Sequence, residues 1–229
     1  MRPGSTAALM TLAALGLLLA ACQAGPGQPQ GVDTPPSVAS VSPGTGAGTP
    51  MPPSTASPPA LSSADQARLD QDLIAAAKAN NAPLVAELIG RGGNVNAKDP
   101  IQDSAFLYAG AEGLNEVLQL TLAAGADVTS INRYGGTALI PASEHGHVET
   151  VKLLIAAGVP VNHVNNLGWT AMQEAILLNN GGPRQQEVVR LLLAAGADPG
   201  IRDPEGQTAL QNAERLGFSE IAASIRGRG

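Results

Sequence analysis

Aromatic residues, cysteine and positive charge are all scarce in this chain. Phe, Trp and Tyr make up 2% of the 229 residues. This argues against a β-sandwich or β-barrel, since strands favour aromatic and β-branched side chains. A single cysteine excludes an intramolecular disulfide framework and a multi-cysteine metal site. With 13 Lys and Arg against 19 Asp and Glu, the chain lacks the excess of cations that binding to nucleic acid phosphates requires.

Long hydrophobic runs are also missing, because no segment approaches the roughly 20 apolar residues of a membrane-spanning helix. An apolar stretch after Arg2 runs from Ala7 to Ala21 and has the length of a signal-peptide core. It ends in Leu19-Ala20-Ala21-Cys22, which resembles the lipobox of bacterial lipoproteins. That resemblance implies that residues 1–22 are a lipoprotein signal peptide and that the thiol of Cys22 carries acyl chains such as palmitate.

An ordinary cleaved signal peptide with an incidental cysteine is the alternative interpretation. Lipidation is favoured because the only cysteine of the chain stands at the lipobox position. The next residue is Gln23 rather than Asp, which in Gram-negative lipoproteins implies passage to the outer membrane. We therefore expect a protein of the bacterial cell envelope, anchored by lipid to the outer membrane and facing the periplasm.

Residues 23–63 consist mainly of Pro, Gly, Ser, Thr and Ala and hold ten of the 18 prolines. Such a segment buries too little apolar area to offset the entropy of ordering it, so we predict a disordered linker. A Pro-rich ligand for another domain is the alternative, but the basic residues that usually flank such ligands are absent.

Two sets of residues recur in the rest of the chain at the same intervals of 33, 33 and 38 residues. They are Gly92, Gly125, Gly158 and Gly196, and Ser104, Thr137, Thr170 and Thr208. An internal repeat of this period predicts a solenoid of stacked units. The five-residue surplus lies between Thr170 and Gly196, where Asn179 to Pro183 supply turn residues.

The repeated segments resemble the ankyrin repeat. The matching pieces are Gly-x-Thr-Ala-Leu, then Gly-His, an apolar helix and Ala-Gly-Ala-Asp. The resemblance implies an all-α ankyrin-repeat solenoid in residues 64–229, with about five helix-turn-helix units joined by short β-hairpin loops. The predicted units are 66–98, 99–131, 132–164, 165–202 and 203–229.

Local signals agree with this assignment. Thr137, Thr170 and Thr208 are placed to cap the first helix of their units. Gly146 permits the turn between two helices, and Gly158 suits the left-handed position at a helix C-terminus.

The two end units are expected to be polar on the outside. Residues 63–66 read as a capping box at the start of the first unit. Arg226 and Arg228 stand near the C-terminus of the last helix, where cations are favourable.

The sequence predicts no catalytic residues, no cofactor and no metal site. It contains no Gly-x-Ser-x-Gly, Walker loop, dinucleotide fingerprint or His-Glu-x-x-His. His145 and His147 could form a metal pair. The better interpretation places His147 in the Gly-His of the turn between helices, with His145 as an exposed neighbour. Single carboxylates are interpreted as solvated surface groups.

The candidate binding residues are those that the resemblance places on the loop tips of the concave face. Arg133, Tyr134 and Trp169 are the strongest candidates, because Arg and aromatic anchors dominate interface energetics. Trp169 could instead pack on a neighbouring hairpin. Phe106 is expected in the core, and Tyr108 is left open. The other candidate positions are Asn166, Leu167, Ile101, Asp103, Glu205 and Gln207.

These observations predict a monomeric, membrane-anchored module that binds a protein partner and is not an enzyme. A periplasmic immunity or inhibitor protein against a toxin or envelope enzyme is the alternative. A hydrolase or metal enzyme is disfavoured, and a purely structural role as a spacer remains open.

Overall fold

A computed structural model describes residues 61–227, which form ten α-helices and no strand. The helices are α1 (Ser63–Lys78), α2 (Ala82–Gly90), α3 (Ala105–Glu112), α4 (Asn115–Ala123), α5 (Leu139–Glu144), α6 (Val148–Ala156), α7 (Ala171–Leu177), α8 (Pro183–Ala194), α9 (Ala209–Arg215) and α10 (Ser219–Arg226). The predicted signal peptide with Cys22, residues 23–60 of the predicted linker, and Arg228 lie outside the described residues.

The helices form five consecutive pairs that stack side by side, as predicted for an ankyrin-repeat solenoid. The first helix of each pair contacts the first helix of the next pair, and the second helices contact one another in the same way. The core between the two rows includes the fully buried side chains of Phe106, Leu118, Leu139, Leu154 and Met172. Between residues 61 and 227, no helix is both long enough and apolar enough to cross a bilayer.

The four loops between the units share one hydrogen-bond pattern. In each five-residue loop the first N–H donates to the fifth C=O, and the first side chain accepts from the fifth N–H. The expected β-hairpins are therefore tight turns closed by this backbone bond, and residues 61–227 contain no β-strand. The loops are 99–103, 132–136, 165–169 and 203–207.

The first unit uses its own side chains for bonds that later units receive from the unit before them. Between the first and second units, the amide of Asn96 donates to the carbonyl of Gly125 (3.1 Å), and its Oδ1 accepts from the N–H of Asp127 (2.7 Å). The corresponding groups of the first unit, Gly92 O and Asn94 N, are bonded instead by side chains of α1. This helix therefore acts as the polar N-terminal cap that a solenoid needs.

Helix capping follows the prediction at Thr170 and Thr208, where both halves of a capping box form. The cap predicted for Thr137 is wrong, since α5 begins at Leu139 without a side-chain cap and the Thr137 hydroxyl is buried with no partner in residues 61–227. The reason is Pro141. It has no N–H to donate to the Thr137 carbonyl, which instead accepts from Ile140 in a tighter turn (3.2 Å).

The first helix differs from the prediction by one residue. Ser62, not Ser63, is the N-cap of α1, and its hydroxyl oxygen accepts from the N–H of Asp65 at 3.2 Å.

The five-residue surplus lies where the sequence placed it and is shared by two elements. Helix α8 has 12 residues, whereas α4 and α6 have nine each. The rest lengthens the α7–α8 connection, where the Asn179 amide donates to the carbonyl of Glu144 at 2.7 Å. The insertion is thereby tied to the preceding unit.

We predict that threonine-to-valine substitutions distinguish the threonines that cap a helix from Thr137, which does not. Thr170→Val and Thr208→Val should each lower the free energy of unfolding by about 1 kcal/mol, because each removes a cap hydrogen bond. Thr137→Val should change it by less than about 0.5 kcal/mol, because that hydroxyl has no partner to lose. Urea denaturation followed by circular dichroism measures all three, and equal losses would contradict the assignment.

Candidate binding groove

A cavity of about 380 Å³ opens on the face formed by α3, α5 and α7 beside the loops. We call it the groove. Its volume is at the lower end of the range of ligand sites, so it accommodates one or two side chains rather than a folded element. Its lining comprises Asp103, Leu107, Tyr108, Ala111, Glu112, Asn132, Arg133, Tyr134, Gly136, Ile140, Pro141, Glu144, His145, Asn165, Leu167, Glu174 and Leu178.

Four of the candidate binding residues meet in the groove: Asp103, Arg133, Tyr134 and Leu167. Tyr134 and Leu167 are 53% and 52% exposed although both are large and apolar. The Arg133 guanidinium lies 4.7 Å from the centre of the Tyr134 ring and 3.5 Å from the carboxylate of Asp103. The guanidinium therefore has two contacts within the chain, while 46% of the Arg133 side chain is exposed.

The other candidates lie outside this lining. Ile101, Asn166 and Glu205 are exposed, and Gln207 is half-buried. Asn166 has a structural contact, because its N–H donates to the carbonyl of Tyr134 at 2.9 Å and so joins two neighbouring loops.

Trp169 is half-buried and does not line the groove. Its backbone N–H donates to Oδ1 of Asn165 at 3.0 Å. Its indole nitrogen is shielded from solvent and has no hydrogen-bond partner within the described part of the chain. The structure therefore joins Arg133 and Tyr134 in one site and leaves Trp169 outside it.

The two aromatic residues of α3 also have distinct positions. Phe106 is fully buried, as expected. Tyr108, left open by the sequence, is half-buried and lines the groove, with the Lys78 ammonium 5.4 Å from its ring centre.

The groove contains a buried carboxylate that sequence reasoning missed. Glu174 on α7 is only 5% exposed, and Asn165 donates to its Oε1 at 2.7 Å. Burial, and next the nearby carboxylate of Glu144, raise the pKa of Glu174 to about 7, against smaller opposing effects of Asn165 and His145. The interpretation of single carboxylates as solvated groups is therefore wrong for Glu174.

A comparison of the units would have pointed to this position. Glu174 follows the first residue of its loop by nine positions, as Asn212 does in the last unit. There the amide of Asn212 donates to Oδ2 of Asp203 at 2.6 Å. The fourth unit exchanges the partners, with the amide on the loop and the acid on the helix. This exchange places the carboxylate in the groove.

The rings of His145 and His147 lie edge to face, with their centres 5.5 Å apart. His145 is exposed, as expected, with Nδ1 3.0 Å from the carbonyl of Ala111. His147 stands at the N-terminus of α6, where burial lowers its pKa. Among residues 61–227, no three His, Cys, Asp or Glu side chains converge on a point where they could hold a metal ion.

The comparisons with known proteins agree with this architecture. A family profile described as ankyrin repeats, in three copies, matches residues 73–162 and 106–203. The chain belongs to the ankyrin repeat family. An Escherichia coli K12 protein named as the ankyrin repeat protein YahD is 40% identical over 146 residues, which are 63% of this chain and 73% of that protein.

Two crystal structures are similar to this ankyrin repeat protein. An ankyrin repeat domain from Acinetobacter baumannii AYE has 57% identity and a TM-score of 0.68, over 69% of this chain and 80% of that one. The ankyrin repeat protein EF0377 has 40% identity and a TM-score of 0.65, over 67% and 78% of the two chains. Ankyrin repeats are typically protein–protein interaction modules and generally serve as binding scaffolds.

We predict that Glu174 makes stability fall as pH rises. Its pKa is near 7 in the folded protein and ordinarily 4.5, so its contribution is complete below pH 4.5 and lost as pH rises through 7. The parent should lose stability between pH 5 and pH 8 that Glu174→Gln keeps. The difference in unfolding free energy between variant and parent should therefore move in favour of the variant by about 1–2 kcal/mol over this range, allowing for solvent screening.

Urea midpoints of parent and variant at pH 5 and pH 8 test this expectation. Glu112→Gln is the matched control, since Glu112 is an exposed carboxylate that also lines the groove. That control should keep the pH profile of the parent. A parent-like profile for Glu174→Gln would show that the buried carboxylate carries no such linkage.

Proposed function

We propose that this protein is a lipid-anchored, periplasm-facing interaction module that binds a partner protein in the groove. The observation that carries the proposal is the exposure of Tyr134 and Leu167 beside Arg133, whose position is restricted. Large apolar side chains left in water around a cavity are typical of binding surfaces. Aromatic and Arg side chains are also the residues that contribute most to binding at interfaces.

The restricted position of Arg133 supports a role in binding. A side chain that is already ordered in the free protein loses less conformational entropy when a partner binds. The ring of Tyr134 and the carboxylate of Asp103 both contact the guanidinium and restrict its position.

The sequence around Cys22 supports the membrane anchor, and the Pro-rich residues 23–61, which precede the N-cap of α1, support a tether. A random coil of this length has a root-mean-square reach of roughly 35–40 Å. A tethered binding domain would be confined near the membrane at a high effective concentration for partners there. An inhibitory role would use the same groove and would differ in its effect on the activity of the partner.

We predict that a photo-crosslinking amino acid at position 134 captures a partner in the native cell. The same amino acid at Leu84, an exposed residue of α2 outside the groove, is the matched control. A defined crosslinked species is expected from position 134 alone. It should disappear when Arg133→Ala and Leu167→Ala are added, because both side chains line the groove. Equal crosslinking from both positions, or none from position 134, would contradict a partner site in the groove.

The anchor is tested separately. Cys22→Ser should move the protein from the membrane fraction to the soluble periplasmic fraction, because the thiol that accepts the acyl chains is gone. Immunoblotting of fractionated cells measures the shift, with a serine substitution elsewhere, such as Ala24→Ser, as control. Retention of Cys22→Ser in the membrane fraction would place the anchor elsewhere.

A further inference from the structure

We propose that the groove recognises a basic side chain, Arg or Lys, on a segment of the partner protein, with its cationic group held between Glu174 and Glu144. This inference rests on the proposed function and names the chemistry of the partner. It depends on the burial of Glu174, the charge around it and the apolar rim of the groove.

Glu174 is a buried residue, but solvent still reaches its Oε2 through the cavity. Its Oε1 accepts from Asn165, whereas Oε2 has no hydrogen bond from any residue between 61 and 227. The side chain is 95% buried and lines the cavity. A buried carboxylate is costly unless it is paired and its remaining lone pairs are used. A cationic donor entering the groove supplies the opposite charge and a hydrogen bond in place of the solvent that reaches Oε2.

The surroundings of Glu174 are negative. Glu112 and Glu144 are the last residues of α3 and α5, and neither they nor Glu174 forms an ion pair with residues 61–227. The helices α3, α5 and α7 have no basic residue in their last turns. Repeated units run in the same direction, so the partially negative C-termini of these helices lie at one end of the groove with Glu112 and Glu144, whereas Glu174 stands in the first turn of α7. Cations are favoured at the C-termini.

No Lys or Arg of the described chain fills this position, and the one imidazole of the lining, His145, has Nδ1 3.0 Å from the carbonyl of Ala111. Arg133 is the only Lys or Arg that lines the groove, and it is engaged by Asp103 and the Tyr134 ring. Residues 23–63 contain neither Lys nor Arg, so that segment has no complementary charge. Charge complementarity therefore favours a basic residue from another protein.

The rim of the groove fits the rest of a basic side chain. Tyr134, Leu167 and Leu178 are exposed apolar residues of its lining. Arg and Lys pack their aliphatic stems on such surfaces while the charged end reaches a polar partner. We therefore expect the recognised residue to be flanked by an apolar residue in the partner sequence.

The experiment begins with random 12-residue peptides displayed on phage. They are selected in parallel on the full-length protein in detergent and on its Tyr134→Ala/Leu167→Ala variant. Peptides enriched only by the parent bind in the groove. Among these we expect Arg or Lys at one fixed position beside an apolar residue, and the ratio of Arg to Lys separates guanidinium from ammonium recognition.

One enriched synthetic peptide and its analogue with Gln at the basic position are then titrated calorimetrically at pH 8, where Glu174 is ionised. Glu174→Gln should lower the affinity for the basic peptide by at least about tenfold. It should lower the affinity for the Gln analogue by less than about threefold. Glu112→Gln should weaken the basic peptide by less than about threefold. Thermal unfolding of each variant excludes misfolding as the cause.

The two failures are distinguishable. Groove-dependent peptides without a basic position, or equal losses for both peptides with Glu174→Gln, would overturn this inference and leave the proposed function intact. If no peptide depends on the groove and position 134 captures no partner, the proposed function fails, and this inference fails with it.

Discussion

The structure depends on one repeated interaction, the closure of each loop by its first residue. Asp99, Asn132, Asn165 and Asp203 use the backbone N–H and a side-chain oxygen to bond the fifth residue of their loops. Short Asp and Asn side chains suit this geometry, since they readily bond the backbone a few residues on. Each closed loop ends beside the start of the next first helix, so this local bond fixes where each of the last four units begins and how its apolar stripe meets that of its neighbour.

The binding groove arises where the units depart from the common repeat. In the third unit, Pro141 removes a backbone donor and leaves α5 as a helix of six residues. In the fourth unit, an acid on α7 pairs with an amide on the loop, the reverse of the last unit. Both differences face the same cavity. The shared features of the repeat thus supply the scaffold, and the differences between units supply the chemistry.

Much of the fold could be predicted because the repeat is encoded locally. The spacing of glycines such as Gly125 and Gly158 places the helix ends, and both residues have the expected positive φ angles. The error at Thr137 came from treating the cap as independent of Pro141, four residues on. Glu174 was missed because its burial depends on α5 and the loop at Asn165, which belong to different parts of the sequence. The membership of the groove likewise depends on how neighbouring units pack, so exposed loop tips alone could not define it.

Glu174 and Asp203 are both buried acids in a scaffold whose core is largely apolar, but only Glu174 stands on a helix. Asparagine at the same repeat position satisfies the last unit fully, so the repeat does not require a carboxylate there. Glutamate at 174 instead leaves one oxygen facing a cavity beside a second acid, where burial disfavours the charge. A neutral partner group would leave that penalty in place, whereas a cation would relieve it. A side chain without a positive charge would leave the cost of the buried carboxylate uncompensated. The groove would therefore select basic side chains by disfavouring the others.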